Sequence, residues 1–323
     1  MVSKLNIETF DYDDIRLVPK KCIVGSRSEV STKSKLGGRE FELPVIPANM
    51  STIIDSNLAE WLASNGYFYV MHRFDVDPVE FTRDFQSRGL YSSISLGIKA
   101  VDYEDVNRLR IAELTPEYIT IDVAHGHSES VIKMVEYVRE NLPESFVIAG
   151  NVGSVEGALA LEAAGAHAVK VGIGPGFVCT TAPNTGFGTR NWQLSAIHEI
   201  SKALTKSALI ADGGIRHYGD IAKSLAFGAD FIMIGGMFAG HDESPGKPVE
   251  DEAGNRFKEF FGSASEFQKG ESKNVEGKKE LIPVKGPIAD TMSTIRENLQ
   301  SSVSYAGGNE LKSLRDVEYV IIK

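Results

Sequence analysis

The sequence predicts an α/β protein built as a (β/α)8 TIM barrel in a single domain, and three observations lead there. Eight short apolar runs rich in β-branched residues recur along the chain. Amphipathic helical stretches separate them, with short connections. The length, 323 residues, suits one barrel. Strand and helix in alternation mean parallel strands with right-handed crossovers. Eight such units favour closure over an open sheet.

The expected strands are Pro44–Asn49, Tyr67–His72, Ser92–Gly97, Tyr118–Val123, Phe146–Ala149, Ala168–Val171, Ala208–Ala211 and Phe231–Ile234. Helices are expected at Asn57–Ser64, Pro78–Ser87, Ser128–Glu140, Val155–Ala164, Gln193–Leu204 and His217–Phe227. Ser154 precedes one of them as a candidate N-cap. Gly165 and Gly228 are expected to stop helices just before the next strand. After the eighth run the periodicity fades. The stretch from Gly240 to Lys279 is rich in Gly, Ser, Glu and Lys and is too long for a passive connector, so an active-site lid or ordered excursion is expected at about 240–280. Thr291–Leu299 reads as a last helix. No stretch has linker composition, so residues 1–323 read as one domain.

The net charge of −10 argues against non-specific binding to nucleic acid or a membrane surface. It leaves room for an anionic ligand, which backbone amides can hold without net positive charge. The two cysteines, Cys22 and Cys179, have no metal-ligand spacing. No apolar run approaches the roughly 18 residues of a membrane span, and Met1–Asp11 has no signal core, so a cytoplasmic protein is expected.

Barrel chemistry sits at the C-terminal ends of the strands. The sixth run leads into "VGIGPGFVCTTAPNTGFG", residues 171–188. Its glycines open backbone conformations closed to other residues. Cys179 on such a loop, followed by Thr180 and Thr181, is a candidate nucleophile. A buried core cysteine is the alternative; Cys22 carries no such context and is left as structural. The glycine spacing is G-x-G-x-G, which does not fit a dinucleotide fingerprint. The seventh and eighth runs end in "ADGGI" and "IGGMFAG". The amides of Gly213, Gly214, Gly235 and Gly236 are placed to hold one phosphate, with Asp212 accepting from ribose hydroxyls. Plain turn glycines are the alternative. The fourth run ends in "DVAHGHSE", where His125-x-His127 is half of a metal site that nothing else completes.

Together "GIGPG-x-x-CTT", "ADGGI", "IGG" and "FFGSASE" resemble the family of IMP dehydrogenase and GMP reductase, over essentially the whole chain through "SSVSYAGG". Two features favour the reductase of the pair. From Arg73 to Tyr91 there is no room for the regulatory insert that the dehydrogenases usually carry. The stretch "EFQKGESKNV", Glu266 to Val275, lacks the Arg-Tyr pair of the dehydrogenase flap, which activates water. "SRSEV", Ser26–Val30, also looks like the reductase. The alternatives are an NAD-dependent dehydrogenase without its regulatory domain and a non-catalytic nucleotide-binding barrel.

The resemblance implies NADPH-dependent conversion of GMP to IMP and ammonia through a Cys179 thioimidate. It implies that Thr181 and Glu276, the latter in "NVEGK", handle protons for the departing ammonia. A solvated surface carboxylate is the alternative for Glu276. The resemblance adds Gly262, Ser263, Ala264 and Gly277 to the substrate site, and Ser26, Arg27, Arg73, Asp122, Val123, Ala124, Ile173 and Gly174 to the NADPH site. Ser302 and Ser304 match a contact from a neighbouring subunit of a homotetramer, and Gly174, Gly176 and Cys179 match backbone ligands of a monovalent cation such as K+. Three positions depart from the family pattern. Ala182 replaces an arginine after "CTT", Ser51 replaces an aspartate after "PANM", and Ser272-Lys273 replaces a Tyr-Arg pair.

Overall fold

In the computed structural model, which describes residues 3–270, 273 and 275–322, seven short strands among the described residues form one parallel sheet. In spatial order they are Val45–Pro47, Phe231–Ile234, Ala208–Asp212, Ala168–Val171, Phe146–Val152, Tyr118–Asp122 and Ser93–Leu96. Every neighbouring pair is parallel. The first expected strand therefore lies beside the last, as barrel closure requires. Most of these runs are wholly buried, which explains their continuous apolar character.

The strand expected at Tyr67–His72 is corrected. The segment is buried but joins no ladder. It closes the gap between the two edges of the sheet by single bonds. Met71 N donates to Ser93 O at 3.0 Å, Ser95 Oγ donates to Met71 O at 2.6 Å, and Asn49 Nδ2 donates to Ser95 Oγ at 3.2 Å. Tyrosine hydroxyls bond backbone carbonyls here. Tyr69 donates to Tyr91 O at 2.9 Å, and Tyr91 donates to Tyr67 O at 2.6 Å.

The expected helices occur within a residue or so of their predicted ends, from Ser56–Ser64 through Tyr218–Ala226. Ser154 caps the Val155–Ala163 helix, its hydroxyl accepting from Gly157 N at 3.2 Å. Gly165 and Gly228 take φ values of +100° and +109°, the helix-stop conformation expected of them. A helix at Ala100–Ile111 was not expected. Its buried face carries Asp102 and Asp105, which hide the apolar stripe. Asp102 accepts from Gly97 N and Lys99 N, both at 2.7 Å, and so caps the helix from within. The last helix is longer than predicted, at Ile288–Tyr305.

Aromatic rings plug one end of the barrel. Phe41, Phe68, Tyr91, Tyr118 and Phe231 pack at centroid distances between 4.8 and 6.5 Å. Tyr118 and Phe231 open their strands, so this is the N-terminal end. The C-terminal end is left for loops. The excursion folds there as a three-stranded antiparallel sheet, Pro248–Glu250, Arg256–Phe261 and Lys279–Pro283. Ile15–Leu17 pairs antiparallel with Tyr319–Ile321 and ties the two chain ends together. Among the described residues no helix is long and apolar enough to cross a membrane.

Candidate active site

The cysteine loop leaves the Ala168–Val171 strand through Gly172. Gly172 has φ +148°, and a Cβ there would sit 2.1 Å from Asp212 O, so only glycine fits. The side chain of Gln193, at the start of the Gln193–Ala203 helix, donates to Val171 O at 2.9 Å and pins the departure of the loop. Cys179 then lies half-buried.

The excursion is stitched to this loop by backbone bonds. Thr180 N donates to Glu276 O at 2.9 Å, and Lys278 N donates to Val178 O at 2.9 Å. Glu276 N donates to Ala264 O at 3.0 Å, which binds the Gly262–Ser265 turn to the same strip. Gly262 and Gly277 cross almost in contact; a Cβ on Gly262 would meet the Gly277 Cα at 3.3 Å. The result brings together residues far apart in sequence. Cys179 Sγ lies 3.2 Å from Thr181 Oγ1, and Thr181 Oγ1 in turn donates to Glu276 Oε2. A thiol, a hydroxyl and a carboxylate thus form one hydrogen-bonded line.

Two joined chambers open on these groups. One, of about 390 Å³, is lined by Cys179, Thr181, Glu276, Gly262, Ser263 and Ala264. Arg73, Asp122, Val123, Ala124, Ile173 and Gly174 line the same chamber. The second, of about 560 Å³, holds Gly213, Gly214, Gly235 and Gly236. Asp212, Met50, Gly176 and Val178 line both. Gly213 and Gly214 take φ values of +85° and +86°, a backbone that side-chain-bearing residues rarely adopt. Lys285 closes that chamber, donating to Gly236 O at 2.8 Å. The volumes fall in the range of small-molecule sites.

Sequence reasoning missed Lys170. Its side chain is 3% exposed and bridges two carboxylates, Asp122 Oδ1 at 2.9 Å and Asp212 Oδ2 at 2.8 Å. Burial alone would lower the affinity of Lys170 for its proton, but the paired carboxylates outweigh it and raise its pKa. Burial likewise would raise Asp122, and Lys170 overrides it so that Asp122 is held below the usual carboxylate range. Asn151 Nδ2 donates to Asp212 Oδ2 at 2.8 Å and to Gly172 O at 2.7 Å. A lysine inside an apolar strand was the available signal, since a buried ammonium requires carboxylate partners.

Some expected residues lie apart from the cleft. Ser26 and Arg27 are exposed on the N-terminal segment. Arg27 donates to Ser301 Oγ at 3.0 Å and stacks 5.5 Å above the Tyr305 ring. Ser302 lines a separate groove with Tyr305 and Leu17. Ser304 is buried in its own chain, its hydroxyl donating to Ser301 O at 2.8 Å, so Ser302 is the nearer of the two serines to the helix surface. Gly176 O accepts from Cys179 N at 3.1 Å. Ser51 donates to the side chain of Gln268 and ties the loop after the first strand to the excursion. Ser272 lies outside the described residues. Among the described residues no three His, Cys, Asp or Glu side chains cluster as a metal site, and His125 and His127 stand as a pair of rings 6.4 Å apart.

The family described as "IMP dehydrogenase / GMP reductase domain" matches residues 9–322. A GMP reductase of Ligilactobacillus salivarius (strain UCC118) is 59% identical over 97% of this chain and 96% of its own length. The GMP reductases of Bacillus subtilis (strain 168) and Bacillus cereus (strain ATCC 10987 / NRS 248) match at the same identity and coverage.

Proposed function

The chain belongs to the IMP dehydrogenase / GMP reductase family, and we propose that within it this chain catalyses the NADPH-dependent reductive deamination of GMP to IMP and ammonia. The observation that carries the reading is the Cys179–Thr181–Glu276 line at the mouth of a two-chambered cleft.

In this reading GMP lies across both chambers. Its phosphate meets the amides of Gly214, Gly235 and Gly236, and its ribose meets Asp212; the expected Gly213 amide is corrected, since its N–H is given to Met233 O at 3.1 Å. Two contacts already fall on Asp212 Oδ2, which leaves Oδ1 for the ribose hydroxyls. The base enters the cysteine chamber, under the turn that holds Gly262, Ser263, Ala264 and Gly277. Cys179 attacks C2 of guanine, and its proton passes through Thr181 toward Glu276. The 2-amino group takes that proton from the same pair and leaves as ammonia. The thioimidate that remains links Sγ to C2. Covalent catalysis divides a hard substitution into two easier steps.

The residues present fit a nicotinamide. Val123, Ala124 and Ile173 give apolar lining to the chamber that holds the cysteine, and Arg73 supplies a cation there. NADPH, when bound there, supplies the hydride that C2 receives. Cys179 is then released as thiolate and regains a proton from solvent, which balances the reaction as GMP, NADPH and one proton to IMP, NADP+ and ammonia. Ser26, Arg27 and Ser302 contribute, in this reading, across a subunit boundary of a homotetramer; the buried Ser304, whose hydroxyl is given to Ser301 O, does not. The carbonyls of Gly174, Gly176 and Cys179 are the proposed ligands of a K+ ion.

The test is a direct assay of the purified chain with two nucleotide pairs. GMP with NADPH is expected to give IMP, one ammonia and one NADP+ per turnover. XMP formed from IMP and NAD+, with GMP inert, would assign the dehydrogenase reaction instead. Binding of both nucleotides without turnover would make the chain a binding protein.

A further inference from the structure

Lys170 is the least expected group in the cleft, because a lysine side chain 3% exposed must be held there by its surroundings. Its position in the sheet shows how. The Phe146–Val152 strand lies between the strands that carry Asp122 and Lys170. Asp122 is in register with Gly150, and Gly150 with Lys170. The lysine therefore reaches Asp122 across the intervening strand. A Cβ on Gly150 would meet Lys170 Cβ at 2.6 Å and Lys170 O at 2.7 Å. Glycine at this position clears the path for the lysine.

The two carboxylates serve different sides of the cleft. Asp212 lines both chambers, and Asp122 lines only the cysteine chamber. From this geometry we propose that Lys170 is a positioning residue, holding Asp212 toward the substrate ribose and Asp122 toward the cofactor wall from one ammonium. The inference rests on the proposed reaction for what each side binds. It goes beyond that reading in joining the two half-sites through one buried group.

The charge balance gives this bridge a signature. With Lys170 present, two carboxylates and one ammonium leave a single net negative charge. Without it, two half-buried carboxylates lose their shared cation, and one of them retains its proton to a higher pH. The other titratable or charged side chains lining the cysteine chamber are Arg73, Cys179, Lys269 and Glu276. Arg216, His217, Tyr218 and Lys285 line the other chamber with Asp212. None of them is hydrogen-bonded to Asp212 Oδ2, where Lys170 and Asn151 both donate.

The experiment compares Lys170→Met, Lys170→Gln and Lys170→Arg with the wild type in steady-state kinetics across pH, with circular dichroism to verify folding. For Lys170→Met the KM for GMP and the KM for NADPH are both expected to rise by about tenfold or more. A new limb should appear in which kcat/KM falls as pH drops toward neutrality. Lys170→Gln keeps a hydrogen-bond donor without the charge and carries the same test should the methionine variant not fold. Lys170→Arg restores the charge and is expected to remove the new limb. Unchanged KM values and an unchanged pH profile in the folded neutral variants would overturn the bridge. So would a limb in the arginine variant equal to that of the neutral ones. A wild type that does not turn over GMP with NADPH would instead overturn the reaction itself, which keeps the two failures distinct.

Discussion

At the scale of single residues, the site works by bringing a thiol, a hydroxyl and a carboxylate into one line, although 95 residues separate Thr181 from Glu276. A line that acts as a unit gives non-additive variants. Thr181→Val and Glu276→Gln are each expected to lower kcat by about a hundredfold, and the double variant little further; multiplied losses in single-turnover assays would break the relay. Cys179 was legible because a cysteine among glycines after a barrel strand has few structural uses, and Glu276 came from the family pattern. Lys170 was not singled out because its apolar neighbours read only as strand. The exposed Ser26 and Arg27 show the opposite case, since a motif places them by resemblance and the folded chain sets them on the N-terminal segment outside its own cleft.

At the scale of elements, the helix Val155–Ala163 is locked to its neighbours by Glu162 near its end. Its carboxylate accepts from Thr205 N at 3.1 Å, Lys206 N at 2.8 Å and Ser207 N at 2.7 Å. Partial burial would raise its pKa, but these backbone donors and the Thr205 hydroxyl outweigh it and pull the pKa to about 2, from an ordinary value of 4.5. A carboxylate lowered in the folded state adds stability above its unfolded pKa and loses it as pH falls. The contribution is therefore complete above about pH 4.5 and is lost progressively as pH falls toward 2. Glu162→Gln is expected to flatten the acid limb of the melting temperature over that window; an unaltered limb would assign acid sensitivity elsewhere. Ser154→Ala should cost about 1 kcal/mol in denaturant unfolding through loss of its cap. Caps, glycine stops and amphipathic helices were readable because each is a local rule. The Ala100–Ile111 helix was not, because buried aspartates that serve its own start break its apolar stripe. The Tyr67–His72 run was readable as buried but not as unladdered, since that depends on tyrosines reaching across from neighbouring segments.

At the scale of the whole molecule, the barrel order was legible from alternation alone, and its closure puts an aromatic plug at one end and the glycine loops at the other. The excursion was legible as something ordered, but not as a three-stranded sheet, because two of its strands alternate exposed and half-buried residues and the third fully buries only Phe260. Its function depends on being stitched to the cysteine loop. Gly277→Val would force a side chain against Ser265 N, 3.1 Å from the Cβ position, and open that seam. Such a variant is expected to retain its fold by circular dichroism while losing most of its kcat; full activity would show that the stitching is dispensable. The central claim, covalent catalysis by Cys179, is tested most directly by the rate at which Cys179→Ala forms IMP from GMP and NADPH. The predicted result is a fall of roughly a thousandfold or more, with the variant still folded, and a rate within about tenfold of the wild type would contradict the account.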